Sequence, residues 1–465
     1  MFSFNKKGER ISSTNYWFAG IHISSSASKL EASLMGCEGA YPGASLTLQK
    51  SVSFDLPEEI IAAYEDVLES VRIEQDSVSL KRSSPNASLE DSASFFPKTN
   101  TSARSARKTL VPQTLTKLSL LRSMIVDIQE EAFSELLADS DVKPQEVVAI
   151  ALNDPGIWTG PCDWEPRESY YPLSDGSLLA TRTGINVIYS FVPADWSPLG
   201  HGRAFLSFPY WILLSSSDRG RLILDLGETG RWTYIPPSQT ADSWSKTLYR
   251  EVVPCGALLN LFTRQVTKGE SSIDLSGKLS VQGKNSGELL SFWREYQDKA
   301  RESANLQQRY YSTSHSGLLN ETFYFEALKS APPRKFSSLD ALCTSVHFIA
   351  EQIKDSVESN VKQFAEPYDV VLTGAAKQNG LLFSILSTLM ESSEFHKLSE
   401  YGFLEDSFDA TAVATLGILF AAGIPAALTA LYGVKSDALL GRIVPGTSES
   451  RNLFLKFASG NSNQG

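Results

Sequence analysis

Three aspartates stand beside predicted strands, where their carboxylates could bind a ligand or accept a proton. Asp175 lies in LSDGS, Asp195 in PADW and Asp225 in ILDLGETG. Strand ends in α/β proteins often carry ligand-binding groups, so each aspartate is a candidate. Aspartate also caps helices and forms Asx turns. The residues alone favour this structural role for Asp175 and Asp195, and both roles stay open for Asp225.

The usual catalytic motifs do not occur in the sequence. It has no GxxxxGK[ST] phosphate loop, no GxGxxG after a strand, no HExxH and no GxSxG. The five histidines do not stand beside cysteine or aspartate at the spacing of metal ligands. The four cysteines are far apart and form no CxxC pair. We therefore predict neither a metal site nor a disulfide framework.

Apolar, β-branched runs predict the strands that must position these side chains. Helical periodicity predicts helices over 57–71, about 115–138, 338–364 and 409–422. Strands that alternate with helices indicate the α/β class with largely covered sheets. The predicted strands are WFAGIHIS at 17–24, LEASLM at 30–35, VVAIALN at 147–153, GINVIYSF at 184–191, RLILDLG at 221–227 and YDVVLTG at 368–374.

A chain of 465 residues is long enough for two lobes. We place their boundary near residue 212, which gives an N-terminal α/β lobe over 1–212 and a C-terminal α/β lobe over 213–450. Residues 451–465 would form a tail. The segment 75–113 is dominated by Ser, Asn, Pro, Lys and Arg, and this composition predicts a flexible insertion.

The charge balance excludes some partners. The chain has 53 acidic and 42 basic residues, a net charge of −11, which argues against nucleic acid or an anionic membrane as the main partner. Residues 410–434 carry no charge, but Gly423-Ile-Pro425 interrupts them, so we predict a buried helix and a loop rather than a membrane span. The first ten residues lack the apolar run of a signal peptide, and we expect a cytoplasmic location.

Four segments share one order along the chain with a known family. They are YYPLSDGSLLATRTGINVIYSF (170–191), LTGAAKQNGLLFSIL (372–386), SEYGFLEDSFDATAVATLGILFAAGIP (399–425) and LYGVKSDALLGRIVPG (431–446). Their order and spacing resemble the anhydro-N-acetylmuramic acid kinase family, which belongs to the actin-like, sugar-kinase ATPase superfamily. No single motif is specific, so the shared order carries the resemblance.

This resemblance implies a two-lobed, actin-like ATPase (ribonuclease H-like) fold with a cleft between the lobes. It also implies ATP-dependent sugar phosphorylation in peptidoglycan turnover, with ATP and Mg²⁺ as cofactors. The partners would be a small-molecule sugar and a nucleotide, with the nucleotide on the side of the C-terminal lobe, and the protein would be a homodimer. The positions that match the family's cofactor-binding motifs are Ser24, Ser25, Ser26, Gly227, Gly374, Asn379 and Asp409.

The chain departs from the family's pattern where the chemistry is expected. The family's first hairpin, Met-Ser-Gly-Thr-Ser-x-Asp-Gly-x-Asp, corresponds to HISSSASKLEA, so Ser28 and Glu31 replace its two aspartates. A serine cannot replace a carboxylate beside a metal ion. The motif of the general base corresponds to VVPCGA, which puts Val252 at the base position. Glu251 is its neighbour, but adjacent side chains on a strand diverge, so we expect Glu251 to point elsewhere.

These losses predict weak or absent kinase activity. A missing general base costs roughly 10²–10⁴ in rate, and each lost electrostatic stabiliser costs about 10²–10³ more. In that case the protein would use neither ATP nor Mg²⁺ for catalysis. Two alternatives stay open. One is a kinase for another small molecule, with Asp175, Asp195 or Glu251 as the base. The other is a non-catalytic interaction protein that uses residues 75–113 as a contact arm.

Overall fold

The computed structural model describes most of the chain. The described residues are 3–5, 16–39, 43–82, 101–159, 169–192, 204–238, 243–303, 324, 336–361, 368–391, 393–426 and 437–462. The helices are α1 (Glu58–Arg82), α2 (Thr101–Leu137), α3 (Gly176–Thr183), α4 (Ser207–Leu214), α5 (Gly256–Thr267), α6 (Gly287–Ser303), α7 (Ser338–Val361), α8 (Gly380–Leu389), α9 (Phe408–Ala421) and α10 (Ser448–Ser462).

A strand lies in each predicted apolar run; the run at 30–35 is extended at both ends and the run at 184–191 is shortened to three residues. They are β1 (Ser3–Asn5), β2 (Tyr16–Ile23), β3 (Lys29–Glu38), β4 (Ser45–Asp55), β5 (Val147–Asn153), β6 (Ile157–Thr159), β7 (Ser169–Tyr171), β8 (Val187–Tyr189), β9 (Gly220–Leu226), β10 (Thr229–Ile235), β11 (Leu248–Pro254), β12 (Tyr368–Thr373), β13 (Glu394–His396) and β14 (Arg442–Val444).

Two sheets of similar plan form the two lobes. The first sheet has the order β1-β4-β3-β2-β5-β8-β14, and the second has the order β11-β10-β9-β12-β13. In each sheet three strands form an antiparallel meander, and two further strands lie parallel to the first strand of that meander. This three-plus-two arrangement is the ribonuclease H-like repeat. The predicted α/β, two-lobed fold is therefore confirmed.

The first lobe buries both faces of its sheet. Helices α1 to α3 share one apolar cluster with one face of this sheet, in which α2 contacts β2, β3 and β4, α3 contacts β8 and α1 packs on α2. Helix α9 lies on the other face and is buried on all sides except near its ends. Gly20 allows this close packing, because a Cβ atom there would lie 2.1 Å from the carbonyl oxygen of Ala410. The backbone of α9 therefore packs directly against β2.

The second lobe has a separate aromatic core. Trp293 of α6, Phe348 of α7 and Tyr324 pack in mutual ring contact, with centroids 5.2 to 6.2 Å apart. Helix α7 also packs against α5 and α8. A further apolar cluster joins the lobes, because Ile223, Ile235 and Val371 of the second sheet pack in one cluster with α4, α9 and the first sheet.

The chain returns to the first lobe at its C-terminal end. Strand β14 pairs antiparallel with β8. Phe457 of α10 is buried against the rings of Tyr16 and Phe18, with centroids 5.1 and 5.0 Å away. The expected C-terminal lobe over 213–450 therefore ends before Phe408, and much of the expected tail over 451–465 is a packed helix. Local pattern does not reveal which sheet an apolar helix covers.

Helix is present where the sequence predicted a flexible insertion. Helix α1 continues to Arg82 and α2 begins at Thr101, so both ends of the segment 75–113 are helical. The remaining residues of that segment, 83–100, lie outside the described residues.

The uncharged segment that begins at Ala410 forms a buried helix. Helix α9 has 14 residues and ends before Gly423. Among the described residues, every helix is too short or too polar to cross a bilayer. The prediction of a buried helix followed by a break is therefore confirmed.

Candidate active site

The carboxyl ends of the central strands of both sheets face one cavity of about 550 Å³. In the first sheet, His22 of β2 lies beside Asn153 of the parallel strand β5. In the second sheet, Asp225 of β9 lies beside Thr373 of the parallel strand β12. All four residues line the cavity. The parallel registers therefore bring polar strand ends from both lobes to one inter-lobe cleft.

Asp225 is held by a cation from the neighbouring strand. Arg231 of β10 lies opposite Asp225 in the antiparallel register, and its Nε is 3.0 Å from Asp225 Oδ2. The backbone N–H of Gly227 also hydrogen-bonds to Asp225. Burial raises the pKa of Asp225, the charge of Arg231 opposes this rise, and Asp409 adds to it. From the sequence, Asp225 could be either a ligand-binding group or a turn former. In the structure it lines the cleft and forms an ion pair with Arg231.

Two further acids of the cleft, Asp409 and Glu31, interact with each other. Asp409, in the first turn of α9, accepts a 2.5 Å hydrogen bond from Tyr210 Oη. Burial and then the charge of Asp409 raise the pKa of Glu31 to about 8, although Lys29 opposes the rise. Among the described residues, Glu31 Oε2 is buried without a hydrogen-bond partner. A proton on Glu31 at neutral pH would relieve the repulsion between these acids.

His22 adds a neutral polar group next to this pair. Burial lowers its pKa, and Asp409 opposes that effect. The amide nitrogen of Asn153 lies 3.0 Å from His22 Nδ1. An amide nitrogen can only donate, so Nδ1 accepts and the neutral ring carries its proton on Nε2. That nitrogen lies 3.7 Å from Asp409 Oδ2.

The serines of the first hairpin, Ser24, Ser25, Ser26 and Ser28, line the cleft, and cofactor binding by the first three stays a prediction. The Ser24 hydroxyl accepts from the backbone N–H groups of Ser28 and Lys29, at 3.3 and 3.1 Å. The hydroxyls of Ser26 and Ser28 lie 2.7 Å apart. These bonds hold a tight turn whose hydroxyls face the cavity, and the turn contributes no carboxylate.

Gly227 and Gly374 form a floor of bare backbone in the cleft. Gly374 has a φ of 81°, and a Cβ atom there would lie 2.4 Å from the backbone nitrogen of Gly227. Both residues line the cavity at the ends of adjacent strands. Because neither residue has a side chain, the ends of these two strands pack closely together where they line the cavity.

Two predicted site residues are helix caps outside the lining of this cavity. Asn379 is the N-cap of α8, where its side chain accepts from the N–H groups of Leu381 and Leu382. Asp175 is the N-cap of α3, and it also forms an ion pair with Arg122 at 3.2 Å. The structural role favoured for Asp175 therefore matches its position. Asp195 lies outside the described residues.

The expected orientation of Glu251 is wrong. Glu251 lines the cleft, and its carboxylate lies 3.2 Å from Tyr249 Oη. Val252 is instead buried among the apolar side chains of the second lobe. Adjacent strand side chains do diverge, but the acid points into the cleft and the valine into the core. A carboxylate is thus available one residue before the position that matches the family's base.

Sequence reasoning missed Asp154, Arg231 and Tyr210. Asp154 joins the loop after β5 to the segment before α3. Its carboxylate accepts hydrogen bonds from the backbone N–H groups of Gly156, Leu173 and Ser174. Tyr210 and Arg231 each bind a cleft acid. A signal for Arg231 exists in DLGETGRW, since a short Gly-containing turn predicts a hairpin that pairs Asp225 with Arg231.

Two ribonuclease H-like lobes with a polar cleft between their strand ends define the actin-like ATPase class of fold. The family model described as "Anhydro-N-acetylmuramic acid kinase" matches residues 74–446. The chain therefore belongs to the anhydro-N-acetylmuramic acid kinase family. The matched residues begin after the first hairpin, so Ser24 to Ser26 lie outside them.

Curated relatives agree with this assignment. An anhydro-N-acetylmuramic acid kinase of Crocosphaera subtropica is 26% identical over 325 residues, which cover 69% of this chain and 82% of that protein. One of Cyanothece sp. is 26% identical over 274 residues, 58% of this chain and 69% of that protein. Among solved structures, the activator of the 2-hydroxyisocaproyl-CoA dehydratase from Clostridium difficile with bound ADPNP gives a TM-score of 0.33 at 9% identity. That match covers 86% of this chain and 96% of the activator, and at this TM-score it supports no conclusion.

Proposed function

We propose that this protein is a divergent member of its family that binds a nucleotide and an amino sugar in the inter-lobe cleft, with weak or lost phosphoryl transfer. The ion pair between Asp225 and Arg231 carries this proposal. A carboxylate at the end of the first strand of the second lobe is a natural group to face a metal ion and phosphates. Here a cation 3.0 Å away already neutralises it. Its capacity to attract a second cation is correspondingly reduced.

The cleft residues do not form a ready site for Mg²⁺. Asp225, Asp409 and Glu31 all line the cavity, but among the described residues no three acids, histidines or cysteines of the cleft bring donor atoms within 4.8 Å of one another. Mg²⁺ demands near-octahedral oxygen donors at about 2.0–2.1 Å. The hairpin serines cannot supply the missing charge. A nucleotide would therefore have to bring much of the coordination itself.

The cleft is better suited to holding a nucleotide than to activating it. Gly227 and Gly374 line the cavity without a side chain, and we propose that a phosphate chain lies against their backbone. Lys377 also lines the cleft, where Glu405 holds its ammonium group at 3.0 Å. We propose that ATP binds on this side of the cleft and that the sugar binds nearer to His22 and Asn153. Cell-wall sugar turnover would be the setting, as the names of the relatives suggest.

The position of Glu251 favours a second candidate function, a working kinase with a relocated base. Glu251 faces the cavity, and general-base catalysis needs an acid within reach of the attacking hydroxyl or water. In this case the protein would phosphorylate a sugar whose reactive oxygen lies within reach of Glu251 rather than of the position of Val252. A non-catalytic binding protein on the same fold is the outcome if neither candidate holds. Homodimerism and a cytoplasmic location stay predictions.

Turnover and binding assays on the purified chain separate these functions. Thermal shift with ATP and Mg²⁺ reports nucleotide binding, because a ligand of the native state raises the unfolding midpoint. Phosphate transfer to anhydro-N-acetylmuramic acid is measured beside an established family kinase. We expect a thermal shift with turnover at least about 10³-fold below that kinase. Turnover at the kinase's level, abolished by Glu251→Gln, would establish the relocated base. If ATP and Mg²⁺ cause no thermal shift and no phosphate is transferred, the protein is a non-catalytic interaction protein.

A further inference from the structure

A second polar cluster lies at the opposite edge of the second sheet, away from the cleft. Asp369 stands near the start of β12, and Glu394 and His396 stand on the edge strand β13. In the parallel register Asp369 is the partner of Glu394, and His396 is two residues further along β13. Residues at i and i+2 on a strand share one face. Strand β12 reaches the cleft only at its other end, at Thr373.

The three side chains converge at the spacing of metal ligands. His396 Nε2 lies 3.7 Å from Asp369 Oδ1 and 3.6 Å from Glu394 Oε2. One donor atom from each residue lies within 4.8 Å of the other two. Two bonds of about 2.0–2.1 Å meeting at a tetrahedral zinc ion would separate their donors by about 3.3–3.4 Å. The two distances from His396 Nε2 exceed this separation by only a few tenths of an ångström.

A carboxylate on the far side of the ring orients His396 for this role. His396 Nδ1 lies 2.8 Å from Glu400 Oε2, and the other oxygen of Glu400 accepts from the backbone N–H of Lys397. A carboxylate can only accept, so the imidazole carries its proton on Nδ1. The other ring nitrogen, Nε2, faces the two carboxylates, and it is buried and has no hydrogen-bond partner among the described residues. Metal-binding histidines typically have such a carboxylate partner.

We propose that Asp369, Glu394 and His396 bind a zinc ion that ties the edge strand β13 to β12. His396 Nε2 and the two carboxylate oxygens face one another, and one cation between them would be bound by all three. Imidazole and carboxylate donors suit Zn²⁺, whereas Mg²⁺ prefers oxygen donors and retained water. Three protein ligands leave a fourth position for water. This site is independent of the nucleotide cleft and of whether phosphoryl transfer survives.

Arg219 is the competing cation in this cluster. Its Nε lies 2.6 Å from Asp369 Oδ1, and its Nη2 lies 3.7 Å from Glu394 Oε1. Glu394 Oε2, the oxygen nearest to His396, is a different atom. The Tyr401 hydroxyl donates to Asp369 Oδ2 at 3.4 Å. Zinc must therefore share Asp369 with Arg219 or displace it, and removal of Arg219 should strengthen zinc binding.

Titration calorimetry with ZnCl₂ on the full, untagged, chelator-treated chain tests the proposal. We expect one ion per chain, and binding at least about 10-fold weaker in both His396→Gln and Glu394→Gln. The Glu394 side chain is 69% exposed, so its replacement leaves the fold intact. Glu400→Gln should weaken binding by about 10-fold, and Arg219→Gln should strengthen it. MgCl₂ should give no comparable heat.

Matched controls decide between this site and adventitious zinc. His347→Gln removes a half-buried histidine from α7 and should leave zinc affinity unchanged. Absence of zinc binding in the wild-type chain would overturn the proposal. So would equal affinity in the wild type and His396→Gln, or equal losses in His396→Gln and His347→Gln. The thermal shift with ATP, measured in the same variants, should not change, which keeps this result separate from that of the cleft.

Discussion

Asp225 and Arg231 face each other across the β9–β10 hairpin and form an ion pair, with Nε 3.0 Å from Oδ2. This pair places a fixed positive charge in the cleft beside an acid that could otherwise face a cation. The hairpin register makes the pair a property of the sheet rather than of a mobile loop. The electrostatics of the cleft therefore follow from strand pairing.

Removal of the arginine should destabilise the fold, because it leaves the carboxylate of Asp225 buried and unpaired. Breaking a fully buried pair costs about 3–5 kcal/mol. About a fifth of the Asp225 side chain is exposed, so we expect roughly 2–3 kcal/mol for Arg231→Met, measured by urea unfolding. Arg250→Met, on the next strand, should change stability by less than about 0.5 kcal/mol. Adding Asp225→Asn to Arg231→Met should recover part of the loss, and equal losses in the two arginine variants would contradict the pair's role.

Alanine at Gly374 should damage the floor of the cleft more than a positive φ alone explains. Gly374 and Gly423 both have positive φ values, 81° and 73°. A Cβ atom at Gly374 would meet the backbone of Gly227 at 2.4 Å, whereas one at Gly423 would meet nothing within 4 Å. Gly423→Ala should cost about 1–2 kcal/mol. Gly374→Ala should cost more and should also reduce the thermal shift with ATP. If the two variants lose equal stability, the close contact is unimportant.

Replacement of Asp154 by alanine should reduce the free energy of unfolding more than replacement of Asp175. The buried carboxylate of Asp154 accepts three backbone hydrogen bonds and lies 3.1 Å from Tyr170 Oη. Its replacement by alanine leaves several buried donors unpaired, and we expect a loss of about 3 kcal/mol or more. Asp175→Ala removes a helix cap and should cost about 1 kcal/mol. Urea unfolding measures both, and a larger loss at Asp175 would refute this ranking.

The raised pKa of Glu31 predicts how stability changes with pH. Its pKa rises from 4.5 to about 8 in the folded protein. Between these values the unfolded chain releases this proton and the folded protein keeps it, so stability from this group falls as pH rises. Above about 8 both states are ionised, and the group causes no further decline.

Unfolding midpoints of the wild type and Glu31→Gln between pH 4 and 9 test this prediction. The midpoint of the wild type should fall relative to that of the variant as pH rises through this window, because glutamine cannot ionise. Asp409, Asp406 and Lys29 face Glu31 and are present in both proteins. Glu38→Gln, on the same strand, controls for the loss of a carboxyl group. A constant difference between the wild type and Glu31→Gln at all pH values would contradict the assignment.

Strand positions could be predicted from the sequence because buried strands are continuous apolar, β-branched runs. The observed strands Val147–Asn153 and Tyr368–Thr373 match the predicted ones within a residue. The return of α9 and α10 to the first lobe could not be predicted in this way. Helix α9 is buried on nearly every side, so its sequence has no polar face to indicate which sheet it covers.

The site was only partly predictable for a similar reason. The period of two places Glu251 and Val252 on opposite faces of a strand, but it does not say which face meets the cleft. A bulge between Gly230 and Arg231 in the neighbouring strand adds to this ambiguity. Asn379 matched a family motif and proved to be a helix cap. The cleft acids depend on contacts between residues far apart in sequence, such as that of Tyr210 with Asp409.

Because Phe408–Ala421 covers one face of the first sheet, the first lobe can be completed only after the second lobe has been synthesised. The second lobe, from Gly220 to His396, is contiguous and can gather its own core as soon as it has left the ribosome. The first sheet is made earlier, but one face waits for Phe408–Ala421 to be translated. Until then, apolar residues of β2 and β5 on that face lack the helix that covers them. The lobe that is synthesised first is therefore the one completed last.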